Sequence, residues 1–420
     1  GANLKKSFDH WNLELDGYMS QTEVDFQLMR PLFRTLGVGV DFDFNGNDIA
    51  FSNFSKDLTD QGIWGAHQFF AFDRQIEDQS RGISFDMDRD LDGVFTGIKL
   101  GAQYSERSME RLEVRSVDNS VRNGGLYPEL AIGSLDPALF AVPYVDFNLW
   151  SDTAGTFPAP FAVFNRSAVF DALPPPDFTV ANDDLLSRYV DNVEETWAVY
   201  LRANFESAFA GKPLYGVLGA RVINTELTAS GYTGVPVPVT DPDTGAVTIE
   251  VPGTLAPARE KNDYTEVLPS LNVNLDLSDK WVARAGIART LARPDFLDLR
   301  LAQNLNGGDI DSQPFTGSAG NPTLDPIISD QIDVSLEWYP REGTALTGAL
   351  YYKSVDGFVV TDVRAVEIGG YAYDLSSPIN AEEGEFYGVE LSFRHDFDYL
   401  PGFLDGLGIW LTATFNETTI

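Results

Sequence analysis

From about residue 83 onward the chain alternates, and one side of the alternation is almost free of charge. Side chains on a strand point to opposite faces at every second residue, so each segment divides into two rows. Taken in steps of two, one set of rows runs Ile83 to Arg89, Val94 to Tyr104, Trp197 to Phe205, Leu214 to Val222, Val267 to Leu275, Trp281 to Ile287, Ile332 to Trp338, Leu346 to Tyr352, Tyr387 to Phe393 and Leu407 to Phe415. Arg89 is their one charged member. The opposite rows hold Asp86, Asp88, Lys99, Arg202, Arg221, Asp276, Arg284, Asp333, Glu337, Lys353, Glu390 and Arg394. A lipid-facing Arg or Lys costs about 2–4 kcal/mol at the bilayer midplane, whereas a charge facing a wet interior costs little. Exclusion from one side only therefore predicts strands that cross a membrane with the uncharged row in lipid.

The joins between segments are sorted by length. Tight ones fall at Asp90-Leu91-Asp92-Gly93, Ala210-Gly211-Lys212-Pro213, Ser278-Asp279-Lys280, Pro340-Arg341-Glu342-Gly343 and the longer Leu400 to Gly406. Between them lie loops over roughly 106–195, 227–263, 291–328 and 356–384. No tight turn follows another. A soluble sandwich mimics the alternation but has no reason to sort its connections at every second step. Trp197, Trp281, Trp338, Tyr339 and Phe397 stand at strand ends, as an interfacial aromatic girdle would. The predicted fold is an all-β, antiparallel transmembrane β-barrel with short periplasmic turns and long extracellular loops.

Upstream, Trp11, Leu13, Leu15 and Gly17 form one more apolar row and bring the strands to about eleven. Leu36 to Phe44 alternates as well and is assigned to a structured extracellular loop. Eleven strands enclose too little to carry such loops, and a closed barrel pairs its last strand with its first. The expectation is a partial barrel of a larger one. No apolar run of about 18 residues occurs, as alternation dilutes hydropathy. Residues 1–6 lack the apolar core and cleavage site of a signal peptide. A net charge of −34 argues against nucleic acid, whose binding requires Lys and Arg on phosphates. With 0 cysteines, disulfides and thiolate metal sites are ruled out.

Specific words then appear: Leu268-Pro269-Ser270-Leu271-Asn272, Arg289-Thr290-Leu291-Ala292-Arg293-Pro294-Asp295-Phe296, Gly320-Asn321-Pro322-Thr323-Leu324 and Gly388-Val389-Glu390-Leu391. In this order and spacing they resemble the barrel domain of TonB-dependent outer-membrane receptors, nearest the proteobacterial branch of Caulobacter- and Xanthomonas-type receptors, many of which look like oligosaccharide importers. The resemblance implies a barrel of about 22 strands filled by a plug and energised through a TonB-recruiting motif. Residues 1–420 correspond to part of the barrel domain, with plug, TonB motif and final strands absent from the sequence. The implied partners are outer-membrane lipid and lipopolysaccharide, TonB through the missing N-terminal region, and an oligosaccharide. A siderophore or metal chelate is the alternative cargo, and a passive pore or a soluble binding module are alternative classes.

Other chemical signals are discounted. Asp88, Asp90, Asp92 and Gly93, and likewise Asp41, Asp43, Asn45 and Gly46, open like calcium loops, but the twelfth positions are Lys99 and Ser52 instead of Glu. His10, His67 and His395 are dispersed, and neither a nucleophile elbow nor a phosphate-binding loop occurs. No enzyme activity, metal or cofactor is expected. Asp241-Pro242-Asp243-Thr244-Gly245 predicts a hairpin tip within a loop. Pro294 ends pairing where a loop begins, and Arg293 and Asp295 are read either as a local ion pair or as ligand contacts. Asn321-Pro322 marks re-entry from that loop into a strand. For a sugar, aromatic faces and carboxylates should converge near loop bases, which makes Trp64, Tyr127, Tyr144 and Trp150 candidates beside Arg293 and Asp295.

Overall fold

The structure is a computed structural model describing residues 1–36, 38, 40–45, 48–118, 131–141, 162–172, 188–402 and 406–419. Twelve strands follow one another in a single sheet path: β1 (Ala2–Phe8), β2 (Trp11–Arg34), β3 (Gly65–Asp90), β4 (Phe95–Asp118), β5 (Val190–Phe209), β6 (Lys212–Thr240), β7 (Val247–Ser278), β8 (Trp281–Ala292), β9 (Ile327–Arg341), β10 (Thr344–Asp356), β11 (Gly384–Asp396) and β12 (Gly408–Thr419). Spatial order equals chain order, the up-and-down pattern. The chain divides into two compact units, one of Gly1–Glu23, Ile76–Arg111 and Leu186–Ile420, the other of Val24–Gln75 and Leu112–Leu185.

Register carries the alternation from strand to strand. Ile98, Ala203, Leu218, Leu271, Ile287, Ile332, Tyr352 and Tyr387 are successive cross-strand partners on one face. Two residues away, Phe205, Gly216, Val273, Ala285, Val334, Leu350, Val389 and Phe415 form a parallel row. These side chains are bare: Ile287 is 53% exposed, Leu350 58% and Phe415 66%. So wide an exposed apolar field is incompatible with an aqueous surface and matches lipid. Stacked Trp281 and Trp338, 5.7 Å apart, mark its short-turn end, and Tyr104 with Trp197, 4.6 Å apart, its long-loop end. On the opposite face charged side chains find polar partners: Lys99 Nζ lies 3.5 Å from Asp86, Arg284 Nε 2.9 Å from Glu337, and Arg221 Nη2 donates to Gln103 at 2.6 Å.

The tight joins fall where expected. At Ala210-Gly211 both residues have positive φ (51° and 75°), the left-handed pair that joins twisted strands most closely. The segment at Asp90 to Gly93 is the β3–β4 turn. Two expectations need correction. A twelfth strand, β1, pairs with β2 from Ala2↔Gly17 to Phe8↔Trp11, and its Lys5 reaches Glu14 at 2.9 Å. The stretch 227–263 is no loop: β6 and β7 run for 29 and 32 residues and meet at a tip over 241–246. Strand pairing also extends into 106–195, up to Asp118 and again from Val190. Strands longer than the bilayer needs continue because their inward face finds cover beyond it.

That cover is local folding between strands. A small sheet of Gln303–Leu305, Phe315–Ala319, Tyr371–Asn380 and Val359–Ile368 encloses Phe315 and Tyr373 together with Ile249 of β7. In the other unit, Ala66, Phe69, Leu139, Phe140 and Val169 form a separate core that includes the short helix Arg166–Ala172. The stretch expected to be a structured loop forms a hairpin of Val40–Asn45 with Asp48–Phe54.

Candidate functional site

The long-loop ends of β5, β6 and β7 turn polar and buried side chains toward one another. Alternation places Asn192, Glu194, Thr196 and Ala198 on the face opposite Trp197, and Ile223, Thr225 and Leu227 on the corresponding face of β6. Asn192 and Thr225 are fully buried, and Thr196 is nearly so. Such groups require partners. The segment leaving β8 supplies them.

Pro294 cannot extend the ladder, and the chain turns inward there. Arg293 Nε lies 3.2 Å from Glu194 Oε1, and Nη2 donates to Thr196 Oγ1 at 3.2 Å and Thr225 Oγ1 at 3.3 Å. Asn192 Nδ2 donates to the Phe296 carbonyl at 2.8 Å. The Phe296 ring is buried under the Arg107 guanidinium, 4.5 Å from its centroid, and Arg107 reaches Asp78 at 3.8 Å. Burial pushes the Glu194 carboxyl above its ordinary range, with Arg293 and Arg107 opposing. The Tyr264 phenol, lining the same region from β7, is also pushed up by burial.

The expected Arg293–Asp295 pair does not form. Asp295 Oδ1 instead accepts from Leu297 N–H at 3.1 Å, and the Asp295 carbonyl accepts from Asp298 at 3.0 Å and Leu299 at 3.2 Å. Once the chain turns at Pro294, the nearest backbone donors claim the Asp295 carboxylate. Asp295 remains exposed.

Two of the four words meet here. Asn321 N–H donates to the Asp298 carbonyl at 2.6 Å, and a Cβ on Gly320 would stand 2.3 Å from the Arg300 carbonyl, so only glycine fits. Leu324 joins Phe296, Leu299, Leu227, Val190 and Met109 in one core, and its carbonyl accepts from Asn262 at 3.1 Å. Asn321 Nδ2 then reaches the Pro378 carbonyl at 3.1 Å, tying in the small sheet before β9 begins. The 291–328 loop base is therefore a folded body.

Of the other candidates, Trp64 donates through Nε1 to the Leu58 carbonyl at 3.2 Å and packs edge-on to Phe164, with 5.9 Å between ring centroids, within the second unit's core. Tyr127, Tyr144 and Trp150 lie outside the described residues. Sequence reasoning missed Asn192, Glu194, Thr196, Thr225 and Arg107. Among the described residues, no group of three or more His, Asp or Glu side chains is placed to hold a metal ion.

A sequential antiparallel sheet with a charge-free lipid face, a polar and charged opposite face and a folded loop base after β8 defines an outer-membrane β-barrel. The sequence matches the family model "TonB dependent receptor-like, beta-barrel" over residues 21–419, and the chain belongs to that family of Gram-negative outer-membrane receptors and transporters. Similar solved structures include the ferric-catecholate import receptor Fiu from E. coli K12 (11% identity, TM-score 0.49, covering 98% of this chain and 46% of that one). Others are the siderophore receptor PirA from Pseudomonas aeruginosa (12%, 0.32, 99% and 62%) and the ferric yersiniabactin uptake receptor FyuA from Yersinia pestis (10%, 0.46, 99% and 41%). The chain spans less than two thirds of the length of each. No curated protein matches the sequence.

Proposed function

We propose that this chain supplies barrel strands to a receptor that captures a bulky nutrient at its extracellular mouth and imports it with energy delivered through TonB. The observation carrying this reading is the folded mouth: β6 and β7 extend beyond the lipid band, and the loop after β8 is clamped to the wall through Arg293 and Phe296. A rigid mouth presents ligand groups at low entropic cost. The proposed cargo is an oligosaccharide. A net charge of −34 repels anionic ferric chelates and leaves neutral glycans unaffected. Asp295, exposed and with one carboxylate oxygen turned to its own loop, suits a sugar hydroxyl with the other.

The test is uptake of labelled oligosaccharides and of ferric chelates by cells with and without the gene, in the presence and absence of a protonophore. Gene-dependent, protonophore-sensitive glycan uptake is expected. Protonophore-insensitive uptake would make the protein a passive pore, and uptake of chelates alone would replace the cargo.

A further inference from the structure

On the face opposite the lipid, β10 and β11 carry a run of aromatic rings near their long-loop ends. Tyr352 and Tyr387 belong to the lipid-facing row, so Tyr351 of β10 and Phe386 of β11 face inward. Tyr351 is the cross-strand partner of Gly388, and a Cβ on Gly388 would stand 2.7 Å from the Tyr351 Oη and 2.8 Å from its Cζ. The ring therefore lies down across β11 instead of standing out from the wall, and only glycine lets it do so. One row nearer the mouth, about 7 Å along the strand, Phe386 packs against Phe358, with 5.8 Å between ring centroids. All three rings are half-buried. Asp333 of β9 is the other cross-strand partner of Tyr351, and Glu390 stands two residues from Gly388 on the same face. Both carboxylates are exposed, and among the described residues neither makes an ion pair or a side-chain hydrogen bond. Lys353, whose Nζ stands 5.7 Å from the Tyr351 centroid, has no carboxylate partner there either. Elsewhere on this face Arg284 has Glu337 and Lys99 has Asp86.

We propose that this stretch of wall is a glycan track below the mouth: Tyr351, Phe386 and Phe358 stack successive rings of a neutral oligosaccharide, while Asp333, Glu390 and Lys353 bond its hydroxyls. The inference deepens the import reading above and rests on it. A sugar ring has apolar C–H faces and a rim of hydroxyls, so it is held by flat aromatic faces with donors and acceptors beside them. The wall supplies both. Its carboxylates accept from hydroxyls, its ammonium donates to them, and no side-chain bond has to be broken first. An anionic chelate would meet two carboxylates against one ammonium. Rings set one row apart engage more than one sugar, so affinity rises with chain length.

The experiment measures uptake by cells and calorimetric binding to the full-length receptor in detergent, with maltose and maltohexaose, cellobiose and cellohexaose, and xylobiose and xylohexaose. In the series that cells take up, wild type should bind the hexasaccharide about tenfold or more tighter than the disaccharide. Y351L and F386L keep an apolar side chain but lose the flat face, and each should weaken the hexasaccharide about tenfold while leaving the disaccharide less affected. D333N/E390Q removes the charged acceptors and should weaken it by about tenfold as well. That variant disturbs no packed ring, so it reads the track even where a ring variant fails to fold. Y215L, an inward aromatic at the short-turn end, should change nothing. Hexasaccharide binding that is unchanged in Y351L, F386L and D333N/E390Q overturns the track and leaves glycan import standing. If cells take up none of the three series, the cargo assignment falls and the track falls with it.

Discussion

Replacing Arg293 by Met isolates the clamp at the mouth. The side chain is 31% exposed and its partner Glu194 only 12%, so the pair is partly desolvated. Breaking a fully buried pair costs about 3–5 kcal/mol, and screening at this exposure reduces that to about 2 kcal/mol. The loss is confined to the loop base, because the ladders of β5 to β7 do not depend on it. Hydrogen exchange of the Leu297, Asp298 and Leu299 amides, all bonded to Asp295, reads that opening directly. They should exchange about 30-fold faster in R293M, with amides of Leu201 and Ala220 in the lipid band unchanged. The R293M/E194M pair should cost less than R293M alone, since it leaves no orphaned carboxylate.

Acidity supplies a second reading of the same clamp. Burial holds the folded-state pKa of Glu194 above its ordinary 4.5. A carboxyl raised on folding contributes stability that is full below its unfolded pKa and is lost as pH rises through the folded value. Removal of Arg293 takes away an opposing charge, so R293M should lose more loop protection over that rise than wild type does. If R293M and E194M are additive and equally insensitive to pH, Arg293 and Glu194 do not act as a unit and the clamp is refuted.

V334R, in the middle of the lipid-facing row, should lower refolding stability in bilayers by about 2–4 kcal/mol, while T347R on the opposite face, beside Glu337, should change it by less than half of that; equal effects would reverse the assigned faces. At the β6–β7 tip, Asp241 Oδ1 accepts from the Asp243 and Thr244 amides at 2.8 and 2.9 Å, which lowers its pKa below the ordinary 3.8. The turn is stabilised above that ordinary value and loosens as pH falls through the depressed one, so tip amides should lose protection on acidification, and D241N should remove the pH dependence.

How much of this was legible follows from what each residue faces. Within the bilayer one side of every strand meets hydrocarbon, so alternation and charge exclusion identify the strands directly. β1 escaped because its seven residues include Lys5 and Lys6 and every one is exposed. Arg293 was legible as a structural residue but not its partner: Glu194 is distant in sequence, and nothing in an alternating row says which carboxylate a guanidinium will reach. Gly320 and Asn321 were legible as loop punctuation, yet their contact with Arg300 and Asp298 depends on how the intervening 20 or so residues fold.

The long extensions of β6 and β7 left a mark of their own. In β6 the lipid-facing residues are the even-numbered ones through Val222, which is 38% exposed, and from Ile223 to Gly231 the buried ones are odd-numbered: Ile223, Leu227 and Ala229 are at 7%, 3% and 0%. On β5 the same inversion separates outward Trp197 from buried Ala198 and Val190. A strand side chain cannot change face without a bulge, and the β5–β6 register runs unbroken from Val190↔Gly231 to Phe209↔Lys212. What changes is the solvent. Below the inversion the outside is hydrocarbon and the inside wet; above it the outside is water and the inside is covered by the folded loop base. The parity switch therefore marks where the membrane ends, and the Arg293 clamp lies on the covered side of that boundary because only there does an inward face need closing.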